Sequence, residues 1–292
     1  MGCVEPAAAV RAGRGNRQGT FRRWRVAEYS LELTLDCGQA FGWTPVAGGW
    51  EAVIMGRWVR LERRGAWLEA RLAEPVAGWD WLESYLRLGD DLAAVRRALP
   101  AEDRALQTAL ASCRGLHLLR QEPWECLAAF ILSANKQIGQ IRRMVATLSQ
   151  RFGEPVAGPL REREGGWRAF PSPERLAARS EAELRACGLG FRAPRLLAVA
   201  RAVAEGRFDP WRLPELSLGE ARERLLALPG VGPKVADCVL LFAGGFDEVF
   251  PLDVWTLRVL REAYFGGKRV PLRRLAAFAA GHFGAHAGYA QQ

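Results

Sequence analysis

A lysine, a cysteine and an aspartate in the C-terminal half of the chain have side chains suited to covalent chemistry. Lys234 offers a primary amine that could attack an electrophilic carbon and form a Schiff base. Asp253 offers a carboxylate that could stabilise positive charge developing at that carbon. Cys238 follows Lys234 by four positions, so the two side chains would share one face of a helix. The spacing predicts a site where an amine nucleophile lies beside a thiol and near a carboxylate.

Each of these residues also has a purely structural interpretation. Lys234 could be an ordinary exposed lysine, although the helix dipole disfavours a cation near a helix N-terminus. Asp253 suits the N-cap of the helix that follows it, a role that is compatible with chemistry. A buried core thiol is the usual interpretation of a cysteine such as Cys238.

The segment 217–255 is the element that would position these side chains. It reads as a helix, a tight turn, a second helix and a loop that ends at Asp253. Ser217 and Glu220 form a capping box for the first helix, and the PGVGP turn places two glycines around a valine. Free N–H groups of such a turn and of the following helix could bind an anion such as a DNA phosphate, whereas a turn used only for packing is the alternative. The candidate phosphate-binding residues are Gly230, Val231 and Gly232.

These motifs resemble those of a known class of enzymes. LPGVGPKVADC followed by PLDVW resembles the helix-hairpin-helix and Gly/Pro…Asp signature of base-excision DNA glycosylases, and Lys234 is typical of the bifunctional members. Three more motifs resemble the 8-oxoguanine DNA glycosylase family specifically. They are CGQAFGW (37–43), LLRQEPWECLAAFILSAN (118–135) and GLGFRAPR (188–195). The resemblance extends over nearly the whole chain.

The resemblance implies an enzyme that flips 8-oxoguanine out of double-stranded DNA, preferably opposite cytosine, and removes it. Lys234 would attack the sugar C1′, displace the base and form a Schiff base, after which β-elimination nicks the strand. Asp253 would stabilise the positive charge that develops as the glycosidic bond breaks. Two alternatives are a monofunctional alkylbase glycosylase, whose branch lacks the lysine, and a non-enzymatic helix-hairpin-helix module that binds the DNA backbone.

The resemblance also implies a pocket for the flipped base, formed by Gly38, Cys238 and Gln291. Guanine N7 accepts a hydrogen bond, whereas 8-oxoguanine carries an N–H there, so a backbone carbonyl at Gly38 would favour the lesion. Cys238 would form one wall, and Gln291 would contact the Watson–Crick edge. The family's second wall is an aromatic residue a few positions beyond Gln291, and no nearby side chain can be assigned to that role from the sequence. The nearby candidates are His282, Phe283 and His286.

Three further residues match family positions that fill the space left by the flipped base and hold the orphaned cytosine, and Gln140 occupies a fourth such position without matching the family residue. Asn135, Phe191 and Arg192 suit this task, because unstacking costs a few kcal/mol and an aromatic wedge can replace the lost stack. Gln140 stands where the family usually has an arginine, and Trp255 stands where it usually has a histidine. A helix cap, a core side chain and a solvated charge are the structural alternatives for the first three.

The alternation of apolar residues predicts an α+β fold that is mostly helical. We expect a mobile tail over 1–25, then an N-terminal antiparallel sheet domain with flanking helices over 26–115, in which SLELTLD (30–36) is a strand. A two-lobed all-α domain over 116–292 would contain the helix-hairpin-helix at 218–243 and hold the active site between its lobes.

Composition sets the remaining expectations. A net charge of +9 suits a polyanionic partner, although only three of the 41 basic residues are lysines and the arginine bias is not specific to DNA binding. Six scattered cysteines lack metal-ligand spacing, so we expect no metal and no cofactor. No secretion signal or membrane span is visible. We therefore expect a monomer in the cytoplasm, or in the nucleus of a eukaryote.

Overall fold

The computed structural model describes residues 19–159 and 165–292. Most of the expected tail, residues 1–18, lies outside these ranges, but the boundary at residue 25 is wrong, because Gly19–Arg25 forms a strand. Arg22 and Trp24 alternate into the protein interior, and the indole N–H of Trp24 donates to Glu83 at 2.6 Å. The arginine-rich sequence of this strand concealed its period of two.

The strands are β1 Gly19–Arg25, β2 Thr44–Val46, β3 Gly49–Ile54, β4 Arg57–Arg64, β5 Trp67–Val76, β6 Pro155–Val156 and β7 Trp167–Arg168. The first five form an antiparallel sheet in the order β1-β5-β4-β3-β2, and β6 and β7 form a separate two-stranded ribbon. Met55 and Gly56 both adopt positive φ in the two-residue turn between β3 and β4, as a type I′ hairpin turn requires.

The strand predicted at 30–36 is wrong, because this segment forms the short helix α1, Leu31–Leu35. Ser30 is its N-cap and accepts the N–H of Leu33 at 3.2 Å. Leu31, Thr34 and Leu35 are buried, which is the i, i+3, i+4 spacing of a helix. Five residues are too few for the sequence to distinguish the two periods.

The rest of the described chain is mostly helical, which confirms the α+β class. The helices are α2 Asp80–Tyr85, α3 Leu92–Ala98, α4 Arg104–Ser112, α5 Pro123–Leu132, α6 Ile138–Phe152, α7 Pro173–Ala177, α8 Glu181–Leu184, α9 Ala193–Ala204, α10 Leu218–Leu226, α11 Pro233–Val239, α12 Val254–Tyr264, α13 Leu272–Phe283 and α14 Ala287–Gln291. Short 3₁₀ or π-helical segments lie at Arg185–Leu189, Gly190–Arg192, Pro210–Glu215, Leu240–Gly244 and Gly284–His286.

The buried side chains form two clusters, one under the sheet and one among the helices. Eight of the ten residues of α5 are buried, so this helix lies at the centre of the helical cluster. Leu92 of α3 and Leu106 of α4 also belong to the helical cluster, although both precede the proposed domain boundary at residue 116. The helical core therefore begins earlier in the chain than that boundary.

Candidate active site

Lys234 and Cys238 lie one turn apart on α11, as their spacing predicted. Pro233 occupies the first position of this helix and Gly232 is the N-cap, so Lys234 lies in the first turn and is half-buried. Cys238 is 3% exposed, and burial raises the pKa of its thiol to about 12, opposed by the nearby amine of Lys234. The thiol is therefore neutral at physiological pH and offers an uncharged, polarisable surface.

The amine of Lys234 is held by the end of the central helix α5. Its Nζ donates to the hydroxyl of Ser133 at 3.3 Å and lies 5.0 Å from the ring centroid of Phe130. The hydroxyl proton of Ser133 is itself donated to the Phe130 carbonyl at 2.7 Å, so its oxygen lone pairs face the amine. We did not identify Ser133 as functional from sequence, and the only signal was the polar interruption that follows Leu132.

Asp253 is the N-cap of α12, which confirms its structural role. Its Oδ1 accepts the N–H of Thr256 at 2.8 Å, and its own N–H donates to Oγ1 of Thr256 at 2.8 Å. Within the described residues, Oδ2 of Asp253 has no hydrogen-bond partner. Asp253 also raises the pKa of Cys238 electrostatically, and Lys234 lowers it. The structure therefore brings the amine, the thiol and the carboxylate into one neighbourhood.

The loop of Gly38 contacts the C-terminal helix that carries Gln291. The thiol of Cys37 donates to Oε1 of Gln292 at 3.2 Å, and Nε2 of Gln292 donates to Oε1 of Gln291 at 2.8 Å. Gly38 has φ +91°, a left-handed backbone conformation that favours glycine.

Gln291 lines a cavity of about 190 Å³ together with apolar side chains of α3 and α4. Neither Gly38 nor Cys238 lines this cavity. A single pocket shared by Gly38, Cys238 and Gln291 therefore stays a prediction.

A network of charged and polar side chains anchors α14, and the sequence did not reveal it. Both terminal nitrogens of Arg87 bind Asp247, at 2.7 and 2.5 Å, while its Nε lies 2.8 Å from Asp90. The hydroxyl of Tyr289 donates to Asp90, and the N–H of Gly288 donates to the Asp247 carbonyl at 2.8 Å. Two distant segments, 87–90 and the loop of Asp247, thus fix the helix that carries Gln291.

The candidate wedge residues lie on two loops that contact each other. Asn135 adopts a left-handed φ of +54°, and Phe191 is 47% exposed. Arg192 is only 3% exposed; its Nε donates to the Ala134 carbonyl at 2.9 Å, and its guanidinium lies 4.2 Å from the Phe191 ring centroid. In this structure the Arg192 side chain joins the loop of Asn135 to that of Phe191, so it is not a solvated charge.

Gln140, expected beside the opposite base, takes part in the start of α6. Its Oε1 accepts the backbone N–H of Gln137 at 3.2 Å, across the first turn of the helix. The carbonyl end of this side chain is therefore committed to helix capping, and the amide nitrogen is the end that could contact a base.

The hairpin between α10 and α11 has the predicted capping box, but one of its backbone N–H groups is already hydrogen-bonded. Ser217 and Glu220 form the capping box, with the Ser217 N–H donating to Glu220 at 3.0 Å. The expectation of an open N–H at Val231 is wrong, because this N–H donates to the Leu228 carbonyl at 3.2 Å to close the turn. Gly230 and Gly232 remain candidate phosphate donors, together with the first N–H groups of α11.

Gly230 fits closely against α9. It has φ +84°, and a Cβ there would lie 2.6 Å from Cδ of Arg195. The guanidinium of Arg195 lies 5.2 Å from the Phe191 ring centroid. One arginine side chain therefore contacts both the hairpin and the candidate wedge.

The three side chains considered for the second pocket wall are mostly engaged elsewhere. Phe283 is buried and stacks on Phe250 with centroids 5.4 Å apart, and Nε2 of His282 lies 2.7 Å from Asp103. His286 is half-buried. None of them is placed as a wall beside Cys238 by a contact in the structure.

Two general features complete the description of the chain. No helix among residues 19–159 and 165–292 is both long and apolar enough to cross a membrane. In the same ranges, no group of three or more His, Cys, Asp or Glu side chains is arranged to hold a metal ion.

Comparison with known families gives two adjacent matches. Residues 23–127 match the family described as 8-oxoguanine DNA glycosylase, N-terminal domain. Residues 128–277 match the family described as HhH-GPD superfamily base excision DNA repair protein. The two matches are contiguous and together cover most of the chain.

Named relatives come from different branches of life. The chain is 34% identical over 210 residues to the probable N-glycosylase/DNA lyase of Methanothermobacter thermautotrophicus, covering 65% of each protein. It is 30% identical over 283 residues to the N-glycosylase/DNA lyase OGG1 of Arabidopsis thaliana, covering 90% of this chain and 76% of that protein. A relative from Saccharomyces cerevisiae is matched over only 43% of its length. The chain thus spans less than two thirds of the archaeal and yeast relatives.

Two solved structures share the whole architecture. MBOgg1 in complex with a low-affinity DNA ligand superposes with a TM-score of 0.87 at 30% identity, covering 97% of this chain and 96% of that chain. The Clostridium acetobutylicum 8-oxoguanine glycosylase/lyase, in complex with double-stranded DNA containing cytosine opposite 8-oxoguanine, gives a TM-score of 0.86 at 26% identity. That match covers 97% of this chain and 95% of that one.

Proposed function

Because the chain belongs to the 8-oxoguanine DNA glycosylase family, we propose that it excises 8-oxoguanine from double-stranded DNA and cleaves the strand at the resulting abasic site. The observation that carries this proposal is the grouping of Lys234, Cys238 and Asp253, with the lysine amine bonded to Ser133. A nucleophilic amine and a carboxylate with a free oxygen suit this reaction, and a neutral thiol suits the wall of a base pocket.

In the proposed reaction, the neutral amine of Lys234 forms a bond to C1′ of the damaged nucleotide. The glycosidic bond breaks, and its electron pair and a proton go to the departing base. Asp253 stabilises the positive charge on the sugar in this step through its free Oδ2. Opening of the sugar ring gives the Schiff base, and loss of a C2′ proton expels the 3′ phosphate, so the strand is nicked. Hydrolysis then frees the lysine.

We assign recognition of the damaged base to Gly38, Cys238 and Gln291. The Gly38 carbonyl would accept the N7–H that distinguishes 8-oxoguanine from guanine. Cys238 is suited to stack against the base because burial keeps its thiol neutral. The contact between the Cys37 loop and the C-terminal residues supports a pocket in which Gly38 and Gln291 act together.

Recognition of the opposite strand would fall to Asn135, Phe191, Arg192 and Gln140. Phe191 is the exposed aromatic side chain that can fill the vacated stack, and its neighbour Arg192 braces it. We propose a preference for cytosine, as in the DNA bound by the Clostridium acetobutylicum enzyme. Gln140 has only its amide nitrogen to contribute, so this preference should be weaker than an arginine would give.

The proposed domain division follows from the same assignment. The sheet domain would begin with the strand Gly19–Arg25. The core of the helical glycosylase domain already includes Leu92 and Leu106. Its hairpin at 218–243 would grip DNA phosphates through Gly230 and Gly232. We propose that the protein acts as a monomer on chromosomal DNA, in the cytoplasm or, in a eukaryote, in the nucleus.

Borohydride trapping tests this proposal directly. Duplexes carrying 8-oxoguanine opposite each of the four bases would be incubated with the wild-type protein and reduced. We expect a covalent product that requires the lesion and is most abundant opposite cytosine. The chain contains only three lysines, Lys136, Lys234 and Lys268, so peptide mapping would identify the attached residue without ambiguity.

Lys234→Gln should abolish trapping while leaving binding of the lesion duplex intact, and Lys268→Gln, at an exposed site, is the matched control. Free base released without a covalent product would indicate a monofunctional enzyme and refute the role of Lys234. Binding without base release would indicate a DNA-binding module and refute the enzymatic proposal.

A further inference from the structure

The first two turns of α12 expose an apolar surface beside the candidate active site. Val254 is 79% exposed, Trp255 is 71% exposed and Val259 is 59% exposed. Trp255 and Val259 are separated by four positions and share one face of the helix, and Val254 adjoins them. We call these three residues the α12 ridge.

This exposure departs from the usual pattern of a surface helix. The buried side of α12 carries Leu260, and its exposed side should be polar. That rule holds at the far end, where exposed Glu262 pairs with Arg258 at 2.9 Å. Val254, Trp255 and Val259 depart from this rule, and the exposed Arg258 lies next to Val259 in the chain. Contiguous exposed apolar residues on a monomeric protein usually mark a surface for a partner.

The α12 ridge is continuous with the candidate site. Val254 directly follows Asp253, whose charge acts on Cys238. Val259, at the other end of the ridge, lines the same cavity as Gln291. The ridge therefore extends from the carboxylate proposed to act at the sugar to the helix proposed to read the base.

We propose that the α12 ridge, through Trp255, packs against the apolar face of a nucleotide flanking the extruded one on the damaged strand. This inference rests on the proposed function, because Asp253 places the ridge beside the sugar of the extruded nucleotide. An indole can pack on a base or on the carbon face of a deoxyribose, and it carries no charge to attract a phosphate. The contact therefore adds affinity that does not depend on salt.

The test compares Trp255→Ala with wild type in binding to a lesion duplex over a range of salt concentrations. Loss of aromatic packing on a nucleotide should weaken binding roughly 10- to 100-fold. The slope of log K against log salt should not change, whereas loss of a phosphate contact would reduce it by about one. Trp255→Phe should recover most of the affinity, and Trp211→Ala, at a 48% exposed tryptophan on another segment, should bind as wild type does.

A second arm locates the contact. Duplexes with an abasic analogue at either nucleotide flanking the lesion would be bound by wild type and by Trp255→Ala, to form a double-mutant cycle. Coupling at one flank would assign the contact to that base, and loss of affinity without coupling would assign it to deoxyribose. Both results support the proposal.

Three results would overturn it. The first is unchanged affinity in Trp255→Ala, and the second is a reduced salt slope. The third is self-association of the wild-type protein at working concentration that disappears when Trp255 is replaced. The ridge would then be a surface between copies of the chain. Trapping of Lys234 at saturating protein is independent of all three, so failure of this inference and failure of the proposed function can be distinguished.

Discussion

The hydroxyl of Ser133 lies 3.3 Å from Nζ of Lys234 and accepts a hydrogen bond from it, while donating its own proton to the Phe130 carbonyl. The hydroxyl thus holds the amine in position, and the amine remains the nucleophile. We predict that Ser133→Ala slows single-turnover base release about 10- to 100-fold, because the hydrogen bond that orients the amine is lost. Rapid-quench assays with protein in excess would measure this rate.

The affinity of Ser133→Ala for the lesion duplex should be unchanged, because the effect is on the position of the amine. Ser133→Thr should restore most of the rate. Ser112→Ala is the matched control, since this exposed hydroxyl also bonds to a carbonyl in its own helix, that of Thr108 at 3.0 Å. A normal rate in Ser133→Ala would show that the lysine does not need this contact.

Asp253 is predicted to have two separable roles, helix capping and charge stabilisation. Asparagine is as good an N-cap as aspartate, so Asp253→Asn should keep the melting temperature while slowing base release about 100-fold. Asp253→Ala should lose the same activity and also about 1 kcal/mol of stability. Thermal melts combined with single-turnover assays would separate the two effects. Full activity in Asp253→Asn would confine this residue to capping.

The anchor of α14 is predicted to support lesion recognition. Tyr289→Phe removes the hydrogen bond to Asp90, which should cost about 1 kcal/mol of stability and loosen the helix that carries Gln291. Excision of 8-oxoguanine should slow roughly 5- to 10-fold as the Gln291 side chain loses its fixed position. Denaturant titration and excision assays would measure the two effects.

Tyr264→Phe is the matched control for this prediction. Its hydroxyl also donates to an aspartate, Asp103 at 2.7 Å, but at the end of α12 that lies away from Asp253. Tyr264→Phe should lower the free energy of unfolding by a similar amount without slowing excision. Equal slowing in both variants would mean that general stability, rather than the position of α14, controls the rate.

Glu125 of α5 is predicted to make stability depend on pH. Its side chain faces the sheet domain at Gly42, and burial, reinforced by the charge of Glu122, raises its pKa from 4.5 to about 8. The unfolded chain loses this proton above pH 4.5, whereas the folded chain keeps it to about pH 8. The stabilisation is therefore fully present below pH 4.5 and is lost as pH rises through 8. The other titratable side chains that line the same cavities are Tyr85, Arg142, Arg143 and Arg168.

Glu125→Gln should remove this dependence. Its stability relative to wild type should grow by at most about 1.4 kcal/mol per pH unit between pH 5 and 8. Urea unfolding at several pH values would measure the difference. The stability of Glu174→Gln, a change at an exposed position, should vary with pH in the same way as that of wild type. Parallel curves for Glu125→Gln and wild type would contradict the prediction.

Local signals in the sequence were sufficient for the parts of the site that depend on neighbouring residues. The capping box of Ser217 and Glu220 and the N-cap at Asp253 depend on spacings of a few positions, and all were confirmed. The shared face of Lys234 and Cys238 follows from helix geometry alone, and the amine of Lys234 lowers the pKa of the Cys238 thiol, which burial raises.

The features that the sequence could not give depend on distant contacts or on ambiguous periods. The Arg87 network joins segments far apart in the chain, so no local sequence pattern predicts it. Alternating leucines at 31–35 fit a strand and a short helix equally well, and the N-cap at Ser30 stabilises the helix. The strand at 19–25 was missed because Arg22 is an inward-facing residue of a charged type. The backbone N–H of Val231 is not free to bind a phosphate, because it donates to the Leu228 carbonyl and closes the turn.

The contact of Arg195 with both Gly230 and Phe191 has a consequence for how the protein would search a genome. A protein sliding along undamaged DNA meets very many intact base pairs for each lesion. If the hairpin holds the phosphates as proposed, the Arg195 side chain lies between that grip and the aromatic ring proposed to probe the stack. Inspection of a base pair would then be linked to the grip on the backbone, because the side chain that packs against the hairpin also packs against the probing ring.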